Sequence, residues 1–355
     1  MEYRNLGQSG LRISTMTLGT MTFGGEGKMA SIGNTDVEGG RRQIDMCIDH
    51  GVNFFDTANM YSAGASEKIL GEAIRGRRDD MLLTTKVRFP MGDGPNDSGL
   101  SRHHILRQLH ASLERLQTDY IDLYQLHEWD GLTPLEETLA TMDQLVRDGK
   151  IRYYGVSNFT GWQMSKVLLL CERHGFIRPI SQQIHYTAQA RDAEYELMPM
   201  AVDQGLGTMI WSPLAGGLLS GKYRRGQQNP DGTRFSQGWT EPPIRDEEQL
   251  YNLIDTLVEV GDAHGVSAAR VALAWILGRR GVTTAVIGAR KDEQLKDNLA
   301  GADLTLADDE IRAIEKAGRP PLIYPYWHQQ RTAAARFGDV DRILQQPWLD
   351  EQGES

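Results

Sequence analysis

Eight short apolar or β-branched runs, each closing on a polar residue or a glycine, constrain this chain more than any other feature. They are MTLG (16–19), NFFD (53–56), LLTTK (82–86), IDLYQLH (121–127), IRYYGVS (151–157), ISQQI (180–184), LGTMIWS (206–212) and TAVIG (284–288). Helical patterns lie between most of them. In DVEGGRRQIDMCIDHG (36–51), Ile44, Cys47 and Ile48 recur at helical spacing and Gly51 stops the run. In SRHHILRQLHASLERLQ (101–117), Ile105, Leu106, Leu109, Leu113 and Leu116 form one stripe. TPLEETLATMDQLVRDGK (133–150) opens with a capping-box-like Thr133-Pro134-Leu135-Glu136 and closes at Gly149. Alternating strands and helices imply a parallel sheet with right-handed crossovers. The strand ends near 56, 86, 127, 157, 184 and 211 recur roughly every 30 residues, and eight such units point to a (β/α)8 TIM barrel. A doubly wound sheet is the second choice, and no G-x-G-x-x-G follows the first strand.

The expected class is therefore α/β, a single barrel domain over residues 1–355 with three additions. Residues 1–15 read as an N-terminal β-hairpin turning between Gly7 and Gly10, placed to plug the barrel bottom. Residues 224–243 form a long Gly- and Pro-rich loop between the seventh and eighth strands, and loops of that length in compact domains are commonly functional. Residues 319–355 form a C-terminal helix or tail, whose aromatics Tyr324, Tyr326 and Trp327 either cap the pocket or pack under the barrel.

Charge and composition narrow the partners. The net charge of -10 argues against nucleic acid and anionic membranes, which favour a basic face. No apolar run approaches a membrane span, and the N-terminus lacks an apolar signal region, so a cytoplasmic location is expected. The two cysteines, Cys47 and Cys171, sit in apolar, helix-like surroundings and read as small buried side chains in a reducing compartment. Neither zinc-ligand spacing nor a P-loop is present, and the adjacent His103 and His104 cannot share one helix face; no metal is expected.

In a barrel of this kind the active site lies at the C-terminal strand ends. Asp56 ends the second run, Lys86 the third and His127 the fourth, and Tyr61 follows in the loop after the second. Each alone has an ordinary structural reading: a turn cap, a solvated lysine, a bonded histidine, a packed ring. At equivalent positions of successive strands they point into one mouth. Tyrosine is a weak acid, and a nearby ammonium lowers its pKa. A buried aspartate keeps that lysine charged, and a histidine orients a carbonyl oxygen or relays a proton. Such a set donates a proton to an alkoxide formed by hydride attack. No Ser-His-Asp or Cys-His arrangement for hydrolysis is evident.

The segments GQSGLRIS…LGTMTFG, FFDTANMY, TTK, LYQLHEW, GKIRYYGVSNF, WSPLAGGLLSGKY and VIGARKDEQLKDNL, in that order, resemble the aldo-keto reductases over nearly the whole chain. The resemblance implies a catalytic tetrad of Asp56, Tyr61, Lys86 and His127, with Tyr61 as proton donor. It implies NADP(H) extended across the mouth, delivering hydride to an aldehyde or ketone. Gly19, Thr20, Met21 and Asp56 would then lie along the cofactor. Ser157, Asn158 and Gln183 would bond the nicotinamide carboxamide, and Trp211, otherwise core packing, would stack on its ring. Ser212, Pro213, Leu214, Gly216, Gly217, Leu219, Gly221 and Lys222 would surround the pyrophosphate, since small residues let backbone N–H groups approach an anion. Gly288, Ala289 and Arg290 would meet the adenosine 2′-phosphate, with Gln294 and Asn298 on the adenosine. Arg290 is the reason for expecting NADP over NAD. The substrate pocket draws on Thr22, Phe23, Met60, Phe89, Trp129 and Trp239, with Met21. This apolar, aromatic set suits a hydrophobic aldehyde, ketone or quinone, although flat aromatic walls also bind sugars. His185 reads as support for the site wall. Some relatives in the channel β-subunit branch act mainly through partners, so the alternative is a cofactor-binding regulatory protein on the same scaffold. Oligomeric state stays open.

Overall fold

The computed structural model describes residues 1–26, 29–30, 32–238 and 240–352. A two-stranded antiparallel hairpin, β1 (Tyr3–Asn5) and β2 (Arg12–Ser14), precedes the body. Eight strands follow: β3 (Met16–Gly19), β4 (Phe54–Asp56), β5 (Leu82–Val87), β6 (Ile121–Leu126), β7 (Ile151–Ser157), β8 (Ser181–His185), β9 (Gly207–Trp211) and β10 (Val282–Ile287). All pair in parallel, and β10 closes on β3 to complete a barrel. All eight strands fall on the eight runs read from the sequence.

The helices are α1 (Val37–Asp49), α2 (Ala65–Ala73), α3 (Arg102–Leu116), α4 (Leu135–Arg147), α5 (Gly161–His174) and α6 (Leu197–Gln204), then α7 (Glu247–His264), α8 (Ala268–Leu277), α9 (Asp292–Leu299) and α10 (Asp308–Ala317). The tail adds α11 (Tyr326–Ala333) and α12 (Arg342–Gln352). No helix among the described residues is long and apolar enough to cross a membrane. One local expectation fails. Helix α4 has no capping box: Thr133 Oγ1 instead donates to Asp130 Oδ2 at 2.7 Å, and Pro134 takes the cap position without a side-chain bond. Asp130 competes for the hydroxyl because its carboxylate already accepts from the Leu100 and Leu132 backbone N–H groups.

Strand alternation sorts side chains into two layers. Phe54 points inward and packs with Leu6, Ile13, Leu123, Met209 and Val286 in the barrel interior. Phe55 points outward into the larger core between strands and helices. Each fully buried ring contributes about 1.5–3 kcal/mol by transfer from water. The hairpin supplies the floor: Leu6 and Ile13 are completely buried, and Gln8 N donates to Gly205 O at 2.9 Å. Gly7 sits at φ +62°, where a Cβ would stand 2.6 Å from Gly207 N and Ile180 O, so only glycine lets the hairpin close against the barrel.

The tail aromatics do not cap the pocket. Tyr326 stacks on Tyr195 at 5.4 Å and donates to its carbonyl, while Arg280 reaches Asp339 O from the turn before β10. The segment lies beside Tyr195 and Pro199 and, through α12, on α10, and its aromatics line no part of the main cavity.

Both cysteines are free and buried. Burial pushes the Cys47 thiol up to about 12 and raises Cys171 as well. Neither thiol should react with a disulfide reagent in the native protein at neutral pH, and both should react on unfolding. Rapid native labelling of Cys47 would contradict this packing.

Candidate active site

Inward alternation continues upward from the floor. Two residues above Phe54 comes Asp56, two above Thr84 comes Lys86, and Leu123, Gln125 and His127 follow one another on β6 and just past its end. Polar side chains thus form a layer directly above the apolar plug. Lys86 Nζ donates to Asp56 Oδ1 at 2.5 Å, to Thr57 O at 2.9 Å and to Tyr61 Oη at 3.4 Å. Asp56 Oδ2 accepts from Gln183 Nε2 at 2.8 Å and from Gln125 Nε2 at 3.3 Å. The ion pair is almost wholly buried. Removing two charges from water costs several kcal/mol each, so such a pair is weak evidence for stability and better evidence for chemistry.

The loop after β4 aims Tyr61. Asn59 N donates to Lys86 O, and Asn59 Nδ2 to Gln108 Oε1. Ser62 and Ala63 then adopt left-handed backbone at φ 48° and 54°, which costs each of them about 1 kcal/mol. Ser62 Oγ holds the turn by donating to Phe23 O at 2.9 Å while accepting from Gly25 N at 3.0 Å. The Tyr61 ring lies 5.9 Å from the His127 ring, edge on, and Phe89 meets His127 from another side at 4.8 Å.

The electrostatics correct one expectation. Lys86 was expected to bring the Tyr61 phenol below its usual pKa. Burial pushes the phenol up, the Lys86 ammonium pulls it down, Asp56 adds a further upward push, and the balance lies above the ordinary value. Burial likewise pulls the Lys86 ammonium down, but Asp56 and Tyr61 outweigh it and hold the group charged. Burial, reinforced by Lys86 and Arg88, keeps His127 well below the usual histidine range. At neutral pH the mouth holds a protonated phenol, an ammonium and a neutral imidazole.

These groups open into a cavity of about 760 Å³ that runs from β4–β6 across the mouth to the loops after β9 and β10. On the first side it is lined by Met21, Thr22, Asp56, Met60, Tyr61, Phe89 and His127, with Gly19 on the floor. Ser157, Asn158, Gln183 and Trp211 line the middle. Ser212, Pro213, Leu214, Gly216, Gly217 and Lys222 follow, and Gly288, Ala289, Arg290, Gln294 and Asn298 close the far end.

Other expected residues lie elsewhere. Thr20 is buried beneath the floor, bonded to Asp56 O and the Ser66 hydroxyl. Phe23 is core packing against the glycine of α1 at position 40. Trp129 packs edge-on to Phe159 and Trp162, away from the cavity. Leu219 is fully buried, and Gly221 backs onto Ala268 and Val258. Lys86 sits behind Tyr61 rather than on the cavity wall. Trp239 lies outside the described residues. Arg290 precedes α9 rather than standing on it; Gln294 and Asn298 are on the helix.

The middle and far end would accommodate a phosphorylated dinucleotide by three observations. Ser157 Oγ is buried and unpartnered at the cavity wall. The backbone turns through left-handed conformations at Ser212, Ala215, Gly216 and Gly217, and a Cβ at Gly216 would crowd Glu241 O at 3.1 Å. Lys222, Arg234 and Arg290 gather there, and none of them forms an ion pair among the described residues. Burial and the neighbouring Arg290 and Arg234 lower Lys222, and burial and Arg290 lower Arg234. Glu241 and Asp297 also line the cavity, Asp297 paired with Arg270, so positive charge stays in excess, and an excess of cations in a concave site favours an anion. Asn158 spends its amide within the protein, donating to His127 O and accepting from Trp211 Nε1 at 3.0 Å.

Several residues escaped the sequence reading, Met29 and Glu128 on the cavity wall among them, with Gln125 and Arg234. Gln125 was detectable as the inward position two before His127. Arg234 was passed over inside the long polar loop; its signal is an arginine in a segment that Arg290 Nη2 draws in by donating to Gly232 O at 2.6 Å.

A parallel eight-stranded barrel carries its active site at the C-terminal rim, where this polar layer lies. A model of the aldo/keto reductase family matches residues 15–319, and the chain belongs to that family. It is 40% identical over 325 residues to the uncharacterized oxidoreductase YrpG of Bacillus subtilis (strain 168), covering 88% of this chain and 95% of that protein. It is 36% identical over 311 residues to a probable voltage-gated potassium channel subunit beta of Arabidopsis thaliana, covering 86% and 92%. A protein so described in Oryza sativa subsp. japonica is 36% identical over 310 residues, again 86% and 92%.

Proposed function

We propose that the chain is an NADPH-dependent oxidoreductase that reduces an aldehyde or ketone to an alcohol, with Tyr61 as the proton donor. The observation that carries this is the buried chain Asp56–Lys86–Tyr61, which ends on a protonated phenol facing the cavity. The nicotinamide cofactor would supply a hydride when bound. Tyr61 Oη donates its proton to the carbonyl oxygen as negative charge develops there. Lys86, held by Asp56, stabilises the phenolate left behind. Neutral His127 orients the carbonyl oxygen without competing as an acid. Gln183 and Gln125 saturate the second Asp56 oxygen, so the carboxylate stays aimed at Lys86. Ser157 would meet a carboxamide, and Trp211 would stack on a flat ring. The apolar, methionine-rich near wall (Met21, Met29, Met60, Phe89) suits a hydrophobic carbonyl compound.

The cation cluster supports NADP over NAD. Arg290→Ala and Arg234→Ala should each lower the ratio of kcat/KM for NADPH over NADH by about tenfold or more, since charge-assisted phosphate bonds are the strong ones. The effect should lie in KM for the cofactor. A wild-type protein that uses the two cofactors equally, or variants with an unchanged ratio, would remove this assignment. The relatives described as channel β subunits support the second reading, a cofactor-binding partner protein; tight NADPH binding with no turnover of any carbonyl would favour it.

A further inference from the structure

We infer that Glu128 is a specificity-determining residue, a carboxylate at the substrate mouth that selects against carbonyl compounds carrying a negative charge. The inference rests on the carbonyl-reductase reading above. Glu128 follows His127 directly and lines the same cavity. On the near side, where Met21, Met29, Met60 and Phe89 make the wall apolar, it is, among the described residues, the one charged lining residue besides Asp56, whose charge Lys86 already neutralises. At the far end Lys222, Arg234 and Arg290 outnumber the lining carboxylates Glu241 and Asp297, the second of which is paired with Arg270. The cavity is therefore polarised: anions are drawn to the β9–β10 loops and repelled from the mouth.

Glu128 has a partner, Arg88, whose Nη1 stands 3.5 Å from Glu128 Oε2. That partner is not among the residues that line the cavity, although its charge acts on His127. Its guanidinium lies 5.3 Å over the Phe89 ring, its Nε is buried, and it contributes nothing to the cavity wall. A substrate in the mouth meets the carboxylate first and the guanidinium only behind it. At such range and partial exposure, like charges oppose each other measurably but not prohibitively. Neutral and cationic ring substituents escape the penalty. Glu128 acts on binding of the substrate and takes no part in proton or hydride transfer.

The test compares three para-substituted benzaldehydes with NADPH: 4-nitro, 4-carboxy and 4-trimethylammonio. The readout is the ratio of kcat/KM for the carboxylate over the neutral compound. Ratios cancel any common change in His127 or in the fold of a variant. Glu128→Gln should raise that ratio about fivefold, and Arg88→Gln, which leaves Glu128 unneutralised, should lower it by a similar factor, both effects shrinking in high salt. The cationic compound should move oppositely in both variants. A ratio unmoved by both substitutions overturns the inference while leaving the reductase reading intact. If wild-type protein reduces none of the three, the reductase reading is decided by a wider panel of carbonyl compounds and not by these. Ligand-observed NMR affinities of the same aldehydes then decide about Glu128: weaker binding of the carboxylate that Glu128→Gln relieves supports the selective mouth, and equal binding in both proteins overturns it.

Discussion

A Tyr61→Phe protein binds NADPH like the wild type and reduces carbonyl substrates at about a hundredth to a ten-thousandth of its rate, the usual worth of a positioned general acid. The substitution removes one oxygen. That oxygen is the end of a buried chain, and its 3.4 Å contact to Lys86 Nζ is the weakest link in it, so the fold should barely notice. The ring keeps its edge contact to His127. The loss should fall on kcat, because the phenolic proton matters only as charge appears on the substrate oxygen. The pH profile supplies a second reading. Tyr61 stays protonated to above its ordinary value of 10, and His127 stays neutral to well below 6.5. Reduction should therefore be flat between those values and fall as pH rises past the tyrosine, where the donor is lost. A bell centred near neutrality would mean that His127 or another group is the acid.

The second large effect is expected at Lys86. Lys86→Met leaves the Asp56 carboxylate buried with only the two glutamine amides, and breaking a buried pair by removing one member costs about 3–5 kcal/mol. The protein should melt at lower temperature and lose turnover. Those two losses have separate causes, and a second substitution separates them. Asp56→Asn combined with Lys86→Met removes both charges and should recover much of the stability, because no unpaired ion remains. It should recover no activity, because the phenolate formed at Tyr61 still lacks its ammonium. If the double variant regained turnover, Lys86 would be a structural partner of Asp56 and nothing more. If Lys86→Met kept wild-type stability, the burial of this pair would be far less costly than its geometry implies.

The barrel was legible because its signal is periodic. Eight apolar runs ending in polar residues need only strand alternation and chain length to be read, and the ends of those runs fix which side chains reach the rim. Asp56, Lys86 and His127 were found that way, and Phe54 and Phe55 sort inward and outward by the same rule. Residues whose place depends on packing were harder. Phe23 and Trp129 look like pocket walls in sequence, yet Phe23 is swallowed by the core against Gly40, and Trp129 turns to Phe159 and Trp162. Thr133 looks like a cap until Asp130, three residues earlier, takes its hydroxyl. The sign of the Tyr61 shift was not readable either. A list of neighbours contains the lysine but not the burial that outweighs it. Arg234 reaches the cavity only through the path of a long loop, which composition does not encode. The tail lies beside Tyr195 and on α10 because they offered it surface there.

The measurement that bears most directly on the whole account is NADPH oxidation with a panel of aromatic aldehydes, quinones, ring ketones and keto-sugars, run against NADH and with Tyr61→Phe in parallel, with the alcohol identified as product. Turnover should prefer NADPH, yield the alcohol in equal amount, and nearly disappear in Tyr61→Phe. Turnover of equal size in Tyr61→Phe, or firm NADPH binding with no carbonyl reduced by the wild type, would contradict it.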